Sequence, residues 1–367
     1  MNNRKADILD LVKCPITGSK LRYLDSSELL HLNSKINDGK MIFLNGKSFE
    51  GELKQAFIST SCGLIYPVVF DINYLLPKYA LIDKNAQKDL VSLDEFKHGN
   101  QLLEDFYEDF GWKKNSNDQY NDADVFEDLR EISQTYVHKC HMRVKNFLPS
   151  SGKYLLDAAS GPIQFKEYLE YSKDYTYHVC MDLSPRALRE AKRKLGDRGI
   201  YILGNIANMP IQEAKIDAAI SLNTIYHIPQ EQQLNAFKEI HRVLIPGGPG
   251  VIVYEWGRHS YLINLLVLPY KIKTHIDKWL LKFVPKLRVQ PDIYFHAHQQ
   301  GYFSEAKLGF KIKTYVWRSL SVPFMKMYIH KSFFGKQFLH FIYKLEEHYP
   351  SLAGNLGEYP MFYLKKV

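Results

Sequence analysis

Residues 154–162, Tyr-Leu-Leu-Asp-Ala-Ala-Ser-Gly-Pro, decide how the chain is read. An apolar run ends at Asp157, and a turn of small residues containing Gly161 leads into the helical pattern FKEYLEYS at 165–172. A tight turn between a strand and a helix lets main-chain N–H groups approach a ligand closely, as in nucleotide-binding α/β proteins. Outward from this point the alternation continues. YHVCMDLS (177–184) is a strand, PRALREAKRKLG (185–196) a helix and IYILGNI (200–206) a strand. IDAAISL (216–222) is again a strand, EQQLNAFKEIHRVL (231–244) a helix and GVIVYEW (250–256) a strand. Strands separated by single helices predict an α/β fold built on a doubly wound, mostly parallel sheet. Pro185 stands where a first helical turn begins, and Pro246-Gly247-Gly248 ends the helix that carries Arg242.

The flanks change character. Between residues 11 and 77 short β-like runs (KLRYL, MIFL, FIST, LIYPVV) are broken by Gly, Asn and Asp, which predicts a small β-rich domain over 1–79. Residues 80–149 read as an acidic helical lid or linker, with Phe106, Tyr107, Phe110 and Trp112 clustered to cover the mouth of the following domain. That domain is expected over 150–367, with an apolar and basic insertion at about 258–290, seen in SYLINLLVLPYKIKTHIDKWLLKFVPKL (260–287). In the tail FKIKTYVWRSL (310–320) and MFYLKKV (361–367) are strand-like pieces able to complete the sheet.

Composition narrows the function classes. The 367 residues are 46% hydrophobic and 24% charged, which suits a folded chain with a sizeable core rather than a disordered one. Four scattered cysteines and an N-terminus without an apolar run lead us to expect the reducing cytoplasm. The apolar stretch from His259 to Tyr270 is well short of the roughly 20 residues that a spanning helix needs, so no transmembrane segment is expected. The net charge of +8 is uneven: residues 258–367 hold 17 Lys and Arg against 6 Asp and Glu. Such a basic third favours an anionic neighbour, and peripheral association with an anionic membrane is one expectation; a plain solvated basic surface is the other.

Four stations lie at predicted strand C-termini, where open α/β sheets bind ligands. They are the turn Asp157 to Pro162, Asp182 at the end of the second strand, Gly204-Asn205-Ile206 after the third, and the run from Ser221 to Pro229 after the fourth. In this order and spacing, residues 154–256 resemble the class I S-adenosylmethionine-dependent methyltransferases, in particular the small-molecule, quinone-methyltransferase-like branch. The resemblance implies a Rossmann-like sheet and S-adenosylmethionine as cofactor. It implies a cofactor site of Asp157, Ala159, Gly161, Asp182, Leu183, Asn205, Ile206 and Asn223, with Asp182 on the ribose and Asn205 and Ile206 beside adenine. The family usually has glycine where Ala159 and Ile163 stand, so this loop is expected to keep a slightly greater distance from its ligand. Asn205 replaces the more usual aspartate.

Methyl transfer is an in-line displacement, so the protein mostly aligns donor and acceptor and excludes water. His227, just past the fourth strand, is the leading candidate for a base or substrate anchor, against a structural role in its loop. Tyr226, Tyr254 and Glu255 are candidates for the pocket wall, and His296 and His298 in YFHAHQQGYF for reaching the same cleft. Two imidazoles at that spacing make an incomplete metal site, so no metal is expected. The family's amino-methylating members show Asn or Asp followed by Pro-Pro and an aromatic residue, whereas Asn223-Thr224-Ile225-Tyr226 stands here. An oxygen or carbon of a small molecule, lipid-linked or phosphate-bearing, is the expected acceptor, and nucleic acid is disfavoured as a partner. RNA or protein methylation and a non-catalytic cofactor-binding scaffold are the alternatives.

The N-terminal runs Cys14-Pro15-Ile16-Thr17 and Ser59-Thr60-Ser61-Cys62 resemble the zinc-ribbon-like domain that activates certain tRNA and release-factor methyltransferases. Each knuckle has lost one thiol, and two thiols with two hydroxyls are a poor zinc set, so a metal-free scaffold is expected.

Overall fold

The structure is a computed structural model that describes residues 2–85, 112, 120–281, 294–306 and 308–367. Among these residues thirteen strands form one sheet: β1 (Leu21–Tyr23), β2 (Met41–Phe43), β3 (Gln55–Ser59), β4 (Ile65–Val69), β5 (Ile72–Tyr74), β6 (Leu81–Asp83), β7 (Gly152–Ala158), β8 (Tyr175–Asp182), β9 (Gly199–Leu203), β10 (Ala218–Leu222), β11 (Pro249–Val253), β12 (Ile312–Arg318) and β13 (Tyr359–Lys365). The main path is β1-β3-β4-β5-β9-β8-β7-β10-β11-β13-β12, and β2 and β6 pair beside β4.

From β5 to β11 every pairing is parallel. β13 then enters antiparallel between β11 and β12. The order reverses at β7 and β10, which makes the gap beyond their C-terminal ends the switch point where such sheets hold ligands. Because β13 runs backwards, its first residue, Tyr359, comes to the same edge as the last residue of β12, Arg318.

Strand alternation sorts the core onto two faces. Leu156, Ala158, Val179, Met181, Ile200 and Ile202 pack on one side, and Leu155, Cys180, Tyr201, Leu203 and Ile220 on the other. Pro185–Leu195 shows how a crossover helix is specified. Ser184 caps it by accepting from the Ala187 N–H at 3.1 Å, and Pro185 opens its first turn. It buries Ala187, Leu188, Ala191 and Leu195. Each buried leucine stabilises by about 1.5–3 kcal/mol relative to exposure.

The N-terminal region joins the sheet edge to edge. β5 pairs with β9, and the Asn73 amide donates to Tyr201 O at 2.8 Å. The helix Asn2–Leu11 adds Ile8 and Leu11 to the same core as Val179 and Ile200. The helix Ser26–Asn37 starts with a capping box, in which Asp25 accepts from the Glu28 N–H at 2.9 Å and Glu28 accepts from the Asp25 N–H at 2.9 Å. Cys14, Thr17, Ser59 and Cys62 lie in a network of hydroxyls and thiols: Ser61 donates to Thr17 at 3.0 Å and Cys62 Sγ to Ser59 at 3.1 Å.

Of the expected lid, Phe106, Tyr107 and Phe110 lie outside the described residues; helices Asn121–Phe126 and Gln134–Arg143 lie within them. The insertion between β11 and β12 contains helices Tyr261–Leu266 and Leu268–Leu281, and residues 282–290 lie outside the described residues. No helix among the described residues is long and apolar enough to cross a membrane.

Candidate active site

A cavity of about 450 Å³ opens at the switch point. Its floor is the four strand-end stations, since Asp157, Ala159, Gly161, Asp182, Leu183, Asn205, Ile206 and Asn223 all line it.

The turn after β7 holds a backbone that glycine would adopt freely. Ala159 has φ +65°, Gly161 φ +54° and Ile163 φ +53°. Alanine and isoleucine in this left-handed region cost about 1–2 kcal/mol each, so the loop keeps its course at the expense of strain at two positions. Gly161 is required twice over, because a Cβ there would lie 2.9 Å from the Trp112 ring. Asp157 is buried, and its carboxylate faces the His178 Nε2 at 3.4 Å, while Ser172 holds the other ring nitrogen at 2.8 Å.

Asp182 accepts the Gly161 N–H at 2.8 Å on one oxygen and the Ser184 N–H at 2.9 Å on the other. It thereby ties the first station to the second. Burial pushes its pKa up to about 6, against those two hydrogen bonds. The Leu183 N–H engages it as well, and of the carboxylate's roughly four acceptor positions one remains for a hydroxyl donor. Asn205 uses its side-chain oxygen locally, accepting the Ala207 N–H at 2.9 Å. Asn223 sits at φ +55° with its side-chain oxygen buried and without a hydrogen-bond partner among the described residues. A buried amide oxygen left unpaired costs about 1–3 kcal/mol, and a ligand donor in the cavity would remove that cost.

His227 lines the cavity beside Tyr226. Its Nδ1 is 2.8 Å from Tyr294 O, so Nδ1 carries the proton and Nε2 the lone pair. Burial lowers its pKa to about 4. Glu255 also lines the cavity; burial and then the hydrogen-bonded Glu358 push its pKa up to about 8, so it stands protonated at neutral pH.

Three expected site residues fall elsewhere. Tyr254, just past the end of β11, is fully buried on the face opposite Glu255, in the aromatic core with Phe303 and Phe362. Its hydroxyl donates to Gln233 at 3.1 Å and accepts the His298 N–H at 3.0 Å. His298 stacks on Tyr302 at 3.6 Å, and His296 serves through its main chain, bonded to Tyr226 O and to the Gln233 amide. None of the three lines the cavity. They clamp the 294–298 segment that in turn holds His227.

The residues of the upper wall are not singled out by the sequence, although two of them, Phe126 and Glu127, belong to the segment expected as a lid. The wall contains Phe126, Phe165, Tyr168, Trp317, Tyr359, Glu127 and Arg318. Arg318 is buried, ion-paired to Glu127, and set over the Trp317 and Tyr359 rings at 4.9 and 4.7 Å. Burial alone would raise the Glu127 pKa, but Arg318 and His141 hold it at about 2. The sequence carries one signal for this wall, an arginine ending the apolar run YVW, but the partner that arginine meets is set by how the two tail strands enter the sheet. Among the described residues no cluster of His, Cys, Asp or Glu is arranged to hold a metal ion.

Residues 156–252 match the methyltransferase domain family. The chain is similar to a probable tRNA methyltransferase 9B of Bos taurus, with 29% identity over 36% of this chain and 28% of that protein. It is also 30% identical to an uncharacterized methyltransferase of Synechocystis, over 29% of this chain and 48% of that protein. The chain thus spans less than half the length of either curated relative. A solved magnesium protoporphyrin IX methyltransferase of Synechocystis with bound S-adenosylhomocysteine has 12% identity and a TM-score of 0.42, covering 73% of this chain and 100% of that one. A complex of the Haloferax volcanii Trm112 methyltransferase activator with a methyltransferase gives 14% and 0.40, over 64% and 91%. The match to the methyltransferase domain family is therefore confined to residues 156–252 of the 367.

Proposed function

We propose that the chain is an S-adenosylmethionine-dependent methyltransferase acting on an oxygen or carbon of a small-molecule acceptor. The observation that supports this best is the convergence of four strand-end stations and His227 on one cavity. The residues present fit the cofactor. Asp182 offers its remaining carboxylate lone pair to a ribose hydroxyl, the orphaned Asn223 oxygen takes a donor, and Ile206 gives an apolar surface beside adenine. Asn205 presents the second lone pair of its oxygen or its amide. When bound, the cofactor supplies an electrophilic methyl group on sulfur. The chain's own task is alignment and exclusion of water by Trp112, Phe126 and Phe295 around the cavity. His227 Nε2, unprotonated at neutral pH, takes the proton from an acceptor hydroxyl or acidic carbon.

Calorimetry with S-adenosylhomocysteine tests the reading. Asp182→Ala is expected to weaken binding about 10- to 100-fold, the loss of roughly 1.5–3 kcal/mol of charged hydrogen bonding. In the wild type, affinity should fall as pH drops through about 6, because protonation of Asp182 removes its negative charge and turns one acceptor position into a donor. Affinity insensitive to both would end the assignment.

An RNA acceptor is the second reading, favoured by the names of the mammalian relatives and by the basic C-terminal third. It shares the cofactor side and differs in what enters the aromatic half. Salt-dependent retention of tRNA, with methyl incorporation into it, would replace the small molecule as acceptor.

A further inference from the structure

The described residues leave most of their exposed large apolar side chains on two adjoining helical stretches, 261–281 and 328–356. The helix Gly335–His348 buries Leu339 against the core and carries a second apolar row on its outer side. Glu346 is buried, accepting from Tyr136 at 2.6 Å and from the Ser319 N–H at 2.8 Å, while Phe338, Phe341 and Leu345 face outward at spacings of three and four. Just before it, Phe333 and Phe334 are 75% and 74% exposed, and Phe334 holds φ +53°. On the other stretch Tyr261, Leu265 and Trp279 are 72%, 68% and 58% exposed. The stretches form one surface. Tyr328 donates to Leu266 O at 2.8 Å, and Ile263 and Val267 share a core with Met325, Ile329 and Leu339.

The surroundings of this surface are cationic, with exposed Lys271, Lys273, Lys326 and Lys344 among its apolar groups, in a region that carries 17 basic against 6 acidic residues. We infer that this surface docks on an anionic lipid bilayer, its aromatic and aliphatic side chains entering the headgroup boundary and its lysines meeting lipid phosphate. Amphipathic helices with aromatic and aliphatic groups on one side and lysines at the rim lie in the bilayer interface in this way. Protein interfaces are depleted in lysine, which argues against a second copy as the occupant. The aromatic groups alone would suit stacked bases, but Leu262, Leu265, Leu268, Ile272 and Ile276 among them cannot stack and would stay in water on RNA, whereas a bilayer takes up both kinds.

The surface also leads to the cavity. Tyr270, on the helix that exposes Ile272, Ile276 and Trp279, lines it, as do Val322 and Pro323 at the head of the helix that ends in Tyr328. The acceptor therefore reaches the site from the bilayer. This last step rests on the methyl-transfer reading, whereas docking itself does not.

The test is co-sedimentation of the full chain with phosphatidylcholine vesicles, with and without phosphatidylglycerol, at low salt. Binding is expected only with the anionic lipid, to weaken as salt rises, and to fall at least about tenfold in Leu265→Glu/Trp279→Glu and in Phe333→Ser/Phe334→Ser. Leu30→Glu, exposed in the N-terminal region, should bind as wild type. Brominated lipid should quench wild-type fluorescence, and Trp279→Phe should lose that quenching. All variants should keep their affinity for S-adenosylhomocysteine, which reports folding and the cofactor site separately from docking. No sedimentation, sedimentation indifferent to these substitutions, or light scattering that shows the wild type paired through this surface and the variants monomeric would each overturn the proposal.

Discussion

The two halves of the cavity are built on different principles. The floor comes from four short runs within residues 157–229, each at a strand end, where main-chain turns aim the few side chains that matter, Asp182 and Asn223 among them. The upper wall comes from Glu127, Arg318 and Tyr359, brought together across 232 residues of chain, and works through side chains. A site made of turns is set by local sequence, whereas one made of side chains is set by packing, and each half should therefore break in its own way.

Substitution in the wall should have the largest effect. Glu127→Ala strands the buried Arg318 charge, and removing one partner of a buried pair costs about 3–5 kcal/mol. Denaturant unfolding should show that loss; a cost under 1 kcal/mol would mean that water already reaches the guanidinium and that the wall is open. His227→Ala joins the halves in one measurement. It should lower kcat about a hundredfold or more and leave the affinity for S-adenosylhomocysteine within a factor of two. Undiminished turnover would return His227 to a loop-holding role. The smallest effect belongs to the floor. Ala159→Gly relieves the strain of φ +65° and should raise stability by up to about 1 kcal/mol. A loss of stability there would show that the methyl group of Ala159 packs usefully.

Legibility in the sequence follows the same division. The alternating strands and helices, the turn at Gly161 and the acidic end of β8 are local patterns, and β7 to β11 lie where those patterns put them. Tyr254 was misplaced because a position just past a strand end leaves the direction of the side chain open; neighbouring Glu255 turned the other way, into the cavity. His296 and His298 looked chemical by residue type, yet the Gln233 amide and the Tyr254 hydroxyl engage the main chain at these positions. Arg318 and Glu127 were illegible for a topological reason. Their meeting depends on β13 running backwards between β11 and β12, which no short window of sequence records. The helix Ser26–Asn37, absent from the β-rich reading of residues 1–79, does have a local signal, since Asp25 and Glu28 stand at the capping-box spacing.

The junction of β5 with β9 carries a consequence in mass action. An edge strand covered by a separate subunit is covered only while that subunit is bound, and dilution uncovers it. Here the cover is a segment of the same chain, present at one copy per sheet at every concentration. Cutting it away would open the edge of β9, with the unpaired N–H and C=O groups that recruit other chains.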